Sequence, residues 1–120
     1  MKPIISESVY KKICNLLRHV KNPQGQQLSR ELSKAEIVKD IELKGDVVTI
    51  NSVVEYQEKS LNKPISIKIV MPEEADLAQR KVSIFAPISI ALIGFKESYS
   101  FDWILPSGHK KFKIIKVTNQ

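Results

Sequence analysis

The chain has 120 residues, enough for one domain that buries a real core without disulfides or metals. Its net charge of +6 permits contact with nucleic acid or an acidic protein surface but demands neither. A single cysteine, Cys14, excludes an internal disulfide and fits a reducing cytoplasm. Residues 1–6 are too short and too quickly polar for a signal peptide, and no run approaches the roughly 18 apolar residues of a membrane span.

Residues 6–20 read as an amphipathic helix, capped by Ser6 or Ser8, with Val9, Ile13, Leu16, Leu17 and Val20 along one face. Asn22-Pro23-Gln24-Gly25 is a turn by composition. Residues 27–39 read as a second helix with Leu28, Leu32, Ala35 and Val38 on its apolar side. Two such helices joined by a short polar turn make an antiparallel helical hairpin, a short coiled coil. Its expected tip is residues 21–27, carrying Asn22, Pro23, Gln24 and Gln26.

Near Gly45 the hydrophobic period changes from that of a helix to that of a strand. This divides the chain into a hairpin unit, 1–45, and a sheet unit, 46–120. Strands are expected at 47–50, 53–57, 65–70, 81–85, 99–105 and 111–117, with a turn at 60–63 and a hairpin loop at 106–109. Between them lies the longest uncharged run, residues 82–94. Its β-branched start suits a strand, Pro87 suits the first turn of a helix, and Gly94 suits a helix stop. Ile88, Ala91 and Leu92 are expected on the buried face of that short helix. The fold class is therefore α+β: a helical hairpin, then a mainly antiparallel sheet with one short helix packed on it.

Three segments carry a resemblance, in order. They are Asp46-Val47-Val48-Thr49-Ile50-Asn51-Ser52, Pro72-Glu73-Glu74-Ala75-Asp76, and Ala86-Pro87-Ile88-Ser89-Ile90-Ala91-Leu92-Ile93-Gly94. Together they resemble the C-terminal domain of GreA/GreB-type bacterial transcription factors, and in particular the shorter regulators of nucleoside diphosphate kinase. One position departs from the pattern: the family's glycine is Ser89 here. The resemblance implies an FKBP-like sheet domain and a cytoplasmic, non-enzymatic protein. It implies bacterial RNA polymerase as the partner, contacted near its secondary channel through Ala86, Pro87, Ile88 and Ser89. The cleavage-stimulating relatives carry paired carboxylates at a hairpin tip that help to hold a catalytic magnesium ion. Residues 21–27 contain none, and amides or a lysine cannot supply the anionic oxygens that Mg²⁺ prefers.

Little else in the sequence carries chemistry. His19 and His109 lie in different elements with no cysteine or carboxylate at ligand spacing, so neither a metal nor another cofactor is expected. The four glycines are too scattered for a phosphate loop. Glu73, Glu74 and Asp76 read as a solvated acidic turn. Lys110, Lys111, Lys113 and Lys116 form a basic strand able to touch phosphate, with Phe112 directed into the core. A peptidyl-prolyl isomerase is the alternative function, but it requires a concave aromatic pocket, and most of the aromatic residues fall at expected core positions.

Overall fold

Ser6 starts the first helix. Its backbone is extended and its Oγ accepts the Val9 N–H, which satisfies one of the free donors of the first turn. Helix α1 then runs Glu7–Leu17. Asn22 caps the second helix in the same manner, accepting the Gly25 N–H at 2.7 Å, and Pro23 occupies the first helical position. Helix α2 is therefore Pro23–Ser33, starting and ending earlier than the expected 27–39. The computed structural model describes residues 2–61, 63–105 and 108–119.

Beyond α2 the chain is extended rather than helical. Glu36–Val38 forms β2, parallel to β1, Ile4–Ser6, with Ile5 opposite Ile37. The β-branched Ile37 and Val38 favour this pairing over a further helical turn. A 3-10 turn at Asp40–Glu42 follows, and the Asp40 Oδ1 accepts the Ser8 N–H at 3.1 Å in the first turn of α1. Hydrogen bonds from Ser8, side chain first and then backbone, hold the Asp40 carboxyl below its usual range. Because the folded value is depressed, the stabilisation is present above the unfolded carboxylate range and is lost as pH falls through the folded value. Asp40→Asn should therefore flatten the acid limb of the stability profile, measured as urea midpoints from neutral to acid pH.

Five strands build the main sheet: β3 Val53–Glu58, β4 Ile65–Val70, β5 Lys81–Ser83, β6 Ser100–Leu105 and β7 Gly108–Thr118. Their order is β5-β4-β3-β7-β6. All neighbours are antiparallel except β4 and β5. Two 3-10 turns, Pro72–Glu74 and Leu77–Gln79, carry the chain from β4 to β5. Helix α3, Pro87–Leu92, follows β5. Part of the expected loop at 106–109 lies outside the described residues; Gly108 and His109 already belong to β7.

Residues 47–50, expected as a strand, are instead a clasp. Val47 forms an isolated bridge with Lys96, and the Val48 N–H donates to the Phe95 carbonyl at 2.8 Å. The chain then turns at Asn51, whose φ of 72° is left-handed, a region that asparagine enters more readily than most residues. Ser52, fully buried, accepts the Thr49 N–H and donates to the Asn119 Oδ1. Asn119 in turn donates to the carbonyls of Gly45 and Val47, so the end of β7 ties down the entry to β3.

Side chains from both sides of Gly45 enter one hydrophobic cluster. Ile13 of α1 and Leu28 and Leu32 of α2 pack with Val54, Ile69, Ile84, Leu92 and Ile114. The molecule measures 37 × 31 × 29 Å. Each helix has 11 residues, about 16 Å at about 1.5 Å per residue.

Candidate functional site

The uncharged run 82–94 resolves into β5, a tight turn and α3. The turn is closed by the Ala86 N–H donating to the Ser83 carbonyl at 2.9 Å. Ala86 is the extended residue before the helix, with no side-chain cap, and Pro87 takes the first helical position. Pro87 is exposed, while Ala86 and Ile88 are half-buried. Ile88 leans on the common core. The buried residues of α3 are Ser89, Ile90 and Leu92, so the expected inward face of Ile88, Ala91 and Leu92 is rotated. The result is a small neutral surface of Ala86, Pro87 and Ile88 at the helix start, offering no catalytic group.

Ser89 is 0% exposed, and its Oγ finds no hydrogen-bond partner among the described residues. An unpaired buried hydroxyl costs about 1–3 kcal/mol. Ser89→Ala removes it and improves helix propensity, and should raise stability by about 1 kcal/mol or more. A lower thermal midpoint for Ser89→Ala would mean that the hydroxyl is satisfied after all.

At the other candidate group, Asn22, Pro23, Gln24 and Gln26 are all exposed. Only Asn22 lies in the connection; Pro23, Gln24 and Gln26 form the start of α2. The connection itself is Arg18-His19-Val20-Lys21-Asn22, which also lacks a carboxylate. α2 packs against α3, but no hydrogen bond or ion pair joins the two candidate groups among the described residues.

His19 and His109 are exposed and in separate elements, and no group of metal-ligating side chains occurs among the described residues. Glu73 and Glu74 are exposed in the first 3-10 turn, and Asp76 caps the second by accepting the Ala78 N–H. No helix is long and apolar enough to cross a membrane among the described residues. Cys14 is half-buried.

The aromatic residues stack on one another. Phe95 and Tyr99 lie parallel with centroids 4.2 Å apart, Tyr99 continues to Phe101, and Phe112 meets Phe101, Trp103 and Tyr56. Burial, then the Glu31 carboxylate, push the Tyr99 phenol above its usual value. The open depression beside it, about 600 Å³, is lined by Phe95 and Tyr99 but also by Lys2, Glu31 and Lys34.

The basic strand divides in a way that simple alternation does not predict. Lys111, Lys113 and Lys116 are exposed. Lys110 instead shares the core side with Trp103 and forms an ion pair with Glu58 at 3.4 Å. A bulge lets Lys113 pair with Gln57 and Lys116 with Glu55. Lysines three apart thus share a face, and Phe112, Ile114 and Val117 share the other. The doublet Ile114-Ile115, which breaks the alternation, is the signal in the sequence for this slip.

The family of transcription elongation factor GreA/GreB C-terminal domains matches residues 43–119, which include β3 to β7 and α3. Transcription elongation factor GreA of Pelobacter propionicus is 34% identical over 103 residues, 81% of this chain and 65% of that protein. GreA of Clostridium acetobutylicum is 33% identical over 91 residues, 76% of this chain and 58% of that protein. The chain thus spans less than two thirds of the length of these curated relatives. A solved structure titled prokaryotic transcription elongation factor GreA/GreB, from Nitrosomonas europaea, superposes with a TM-score of 0.82 at 31% identity, covering 99% of each chain. From the five-stranded sheet with its short helix and these matches together, the chain belongs to the GreA/GreB transcription elongation factor C-terminal domain family.

Proposed function

We propose that this protein is a non-enzymatic transcription regulator that binds bacterial RNA polymerase near its secondary channel and does not stimulate transcript cleavage. The observation that carries the reading is the α3 entrance, an exposed Pro87 flanked by Ala86 and Ile88, inside the matched region 43–119. The sheet unit, 46–120, which we take as FKBP-like, is the docking part. Residues 1–45 accompany it with two short helices, and the whole resembles the regulators of nucleoside diphosphate kinase. That name describes a genetic effect and implies no kinase chemistry here.

Two features argue against cleavage stimulation. Neither residues 18–22 nor Gln24 and Gln26 supply a carboxylate for a second metal ion, so two-metal activation of water has no ligand at this end. The helices are also short, and their apolar faces are bound into the common core, which limits reach. The protein should occupy the channel rim and exclude a Gre-type factor from it.

The test mixes a backtracked elongation complex with this protein, alone and with a cleavage factor. Cleavage at the intrinsic rate in the first mixture and reduced factor-stimulated cleavage in the second are expected. Stimulation in the first mixture, or undiminished cleavage in the second at saturation, overturns the reading. Pro87→Glu locates the contact. The site is exposed and an acid is welcome in a first helical turn, so the fold is kept while polymerase affinity should fall about tenfold, about 1.4 kcal/mol. Unchanged affinity would remove α3 from the interface. The variant carrying Asn22→Asp and Gln24→Glu separates missing carboxylates from missing reach: a gain of cleavage indicts the former, no gain the latter.

A further inference from the structure

The two edges of the main sheet are finished differently. β5 is three residues long, and Asp76, at the cap of the second 3-10 turn, bridges its first residue, Lys81. β6 is six residues long and has β7 on one side and no strand on the other among the described residues. The ladder sets the direction of its peptide groups. The Ile114 N–H donates to the Tyr99 carbonyl at 2.9 Å, and Phe101 lies opposite Phe112, so Tyr99, Phe101 and Trp103 turn their peptide groups toward β7. Ser100 and Asp102 turn theirs to the open edge. Sheet edges are commonly blunted by shortness, proline or lysine, and β6 has none of these; its one charge is Asp102. Ser100 and Asp102 are exposed on the outer face, opposite Lys113 and Lys111, while Phe101 and Trp103 are half-buried on the core side.

We propose that the β6 edge pairs with the β6 edge of a second copy of this chain, antiparallel about a two-fold axis at Phe101, joining the two sheets into one. Self-complementarity selects this occupant and this register. Open peptide groups must face open peptide groups, so a pairing that uses most of β6 has its axis at Phe101, Asp102 or Trp103. An axis at Asp102 sets two carboxylates side by side, where they repel. An axis at Trp103 sets Asp102 opposite Ile104 of the second copy and gives the carboxylate no polar partner there. An axis at Phe101 sets each Asp102 opposite Ser100 of the second copy, and the next strand there carries Lys113, so each carboxylate meets a hydroxyl with a cation behind it. On the core side the same register places Phe101 beside Phe101 of the second copy, and Tyr99 beside its Trp103. This covers rings that one chain alone leaves half-buried. The pairing does not rest on the polymerase reading and is tested without polymerase.

The experiment is sedimentation equilibrium of the full chain from about 1 μM to about 1 mM at about 0.15 M salt. The average mass is expected to climb from 13.6 kDa toward twice that value and stop, because each chain offers this edge once. Asp102→Pro removes an N–H that faces the open edge, a change that edge strands tolerate, and should weaken the dimer at least about tenfold. Asp102→Lys keeps that N–H and should weaken the dimer by a similar factor. Glu73→Lys makes the same change of net charge at a distant turn and should leave the dimer as it is. Asp102 and Glu73 are exposed, and unchanged thermal midpoints at about 1 μM verify the fold of both lysine variants. The register is read by crosslinking in a Cys14→Ser background. Phe101→Cys should form an intermolecular disulfide under mild oxidation, since residues facing each other without mutual hydrogen bonds stand about 4.5 Å apart at Cα. Trp103→Cys, out of register with its own copy, should not. A monomer at about 1 mM, growth beyond a dimer, or equal effects of Asp102→Lys and Glu73→Lys would overturn the proposal. Faster crosslinking of Trp103→Cys than of Phe101→Cys would also overturn it.

Discussion

Gly94→Ala is expected to lower stability by about 3 kcal/mol or more, the largest effect of any single methyl group added to this chain. Gly94 follows α3 with φ +87°, where a side chain costs about 1–3 kcal/mol of backbone strain. The added carbon also meets Pro3 Cβ at 2.5 Å and the Ile4 nitrogen at 3.0 Å. Pro3 is buried, and the Ile4 N–H donates to the Gly94 carbonyl at 2.8 Å, so β1 cannot retreat without losing that bond. The Gly94 N–H donates in turn to the Val48 carbonyl, so one residue joins the N-terminal strand, the clasp and the exit of α3. At about 4 °C per kcal/mol for a domain of this size, the thermal midpoint should fall by about 12 °C. A double-mutant cycle with Pro3→Gly separates the contact from the strain, since only the contact is relieved. A loss below about 0.5 kcal/mol in Gly94→Ala would show that the strand shifts freely, at odds with these contacts.

Leu28→Ala should cost about 2–5 kcal/mol and weaken helices and sheet together. Leu28 is 0% exposed on α2 and belongs to the same cluster as Ile114 of β7 and Ile84 beyond β5. Trp103, the chain's single tryptophan, sits on β6 and reports the sheet, while the far-ultraviolet signal reports the helices. Coincident transitions by both probes, shifted equally in the variant, are expected for one cooperative core. Two separated transitions, or a shift confined to the helical signal, would divide the molecule at Gly45 energetically as well as in sequence.

Much of this architecture is determined by local sequence. Ser6 marks a helix start by its own chemistry, the spacing of Ile13, Leu28 and Leu32 marks inward faces, and the alternation around Ile67 and Phe112 marks half-buried strands, whereas Pro23 reads as turn by composition and yet opens α2. Pro87 and Gly94 bracket α3 because one lacks an N–H and the other tolerates positive φ. These signals act within a few residues, so they survive without knowledge of the fold. The same holds for the want of carboxylates between α1 and α2, a matter of residue identity alone.

Other features were decided only when distant segments met. Residues 36–38 have a helical apolar pattern, yet they pair with β1 because Ile4 and Ile5 are brought alongside them. Val47 and Val48 have strand propensity, yet they form a clasp because Phe95 and Asn119 reach them from far along the chain. The α3 face that turns inward follows from the turn at Ser83–Ala86, which buries Ser89 in place of Ile88. Lys116 stands beside Lys111 and Lys113 only because β3 opposes the bulge in β7. In each case the deciding interaction is a hydrogen bond or a packed contact between residues far apart in sequence. Local propensity, worth tenths of a kcal/mol per residue, yields to a buried and fully paired alternative.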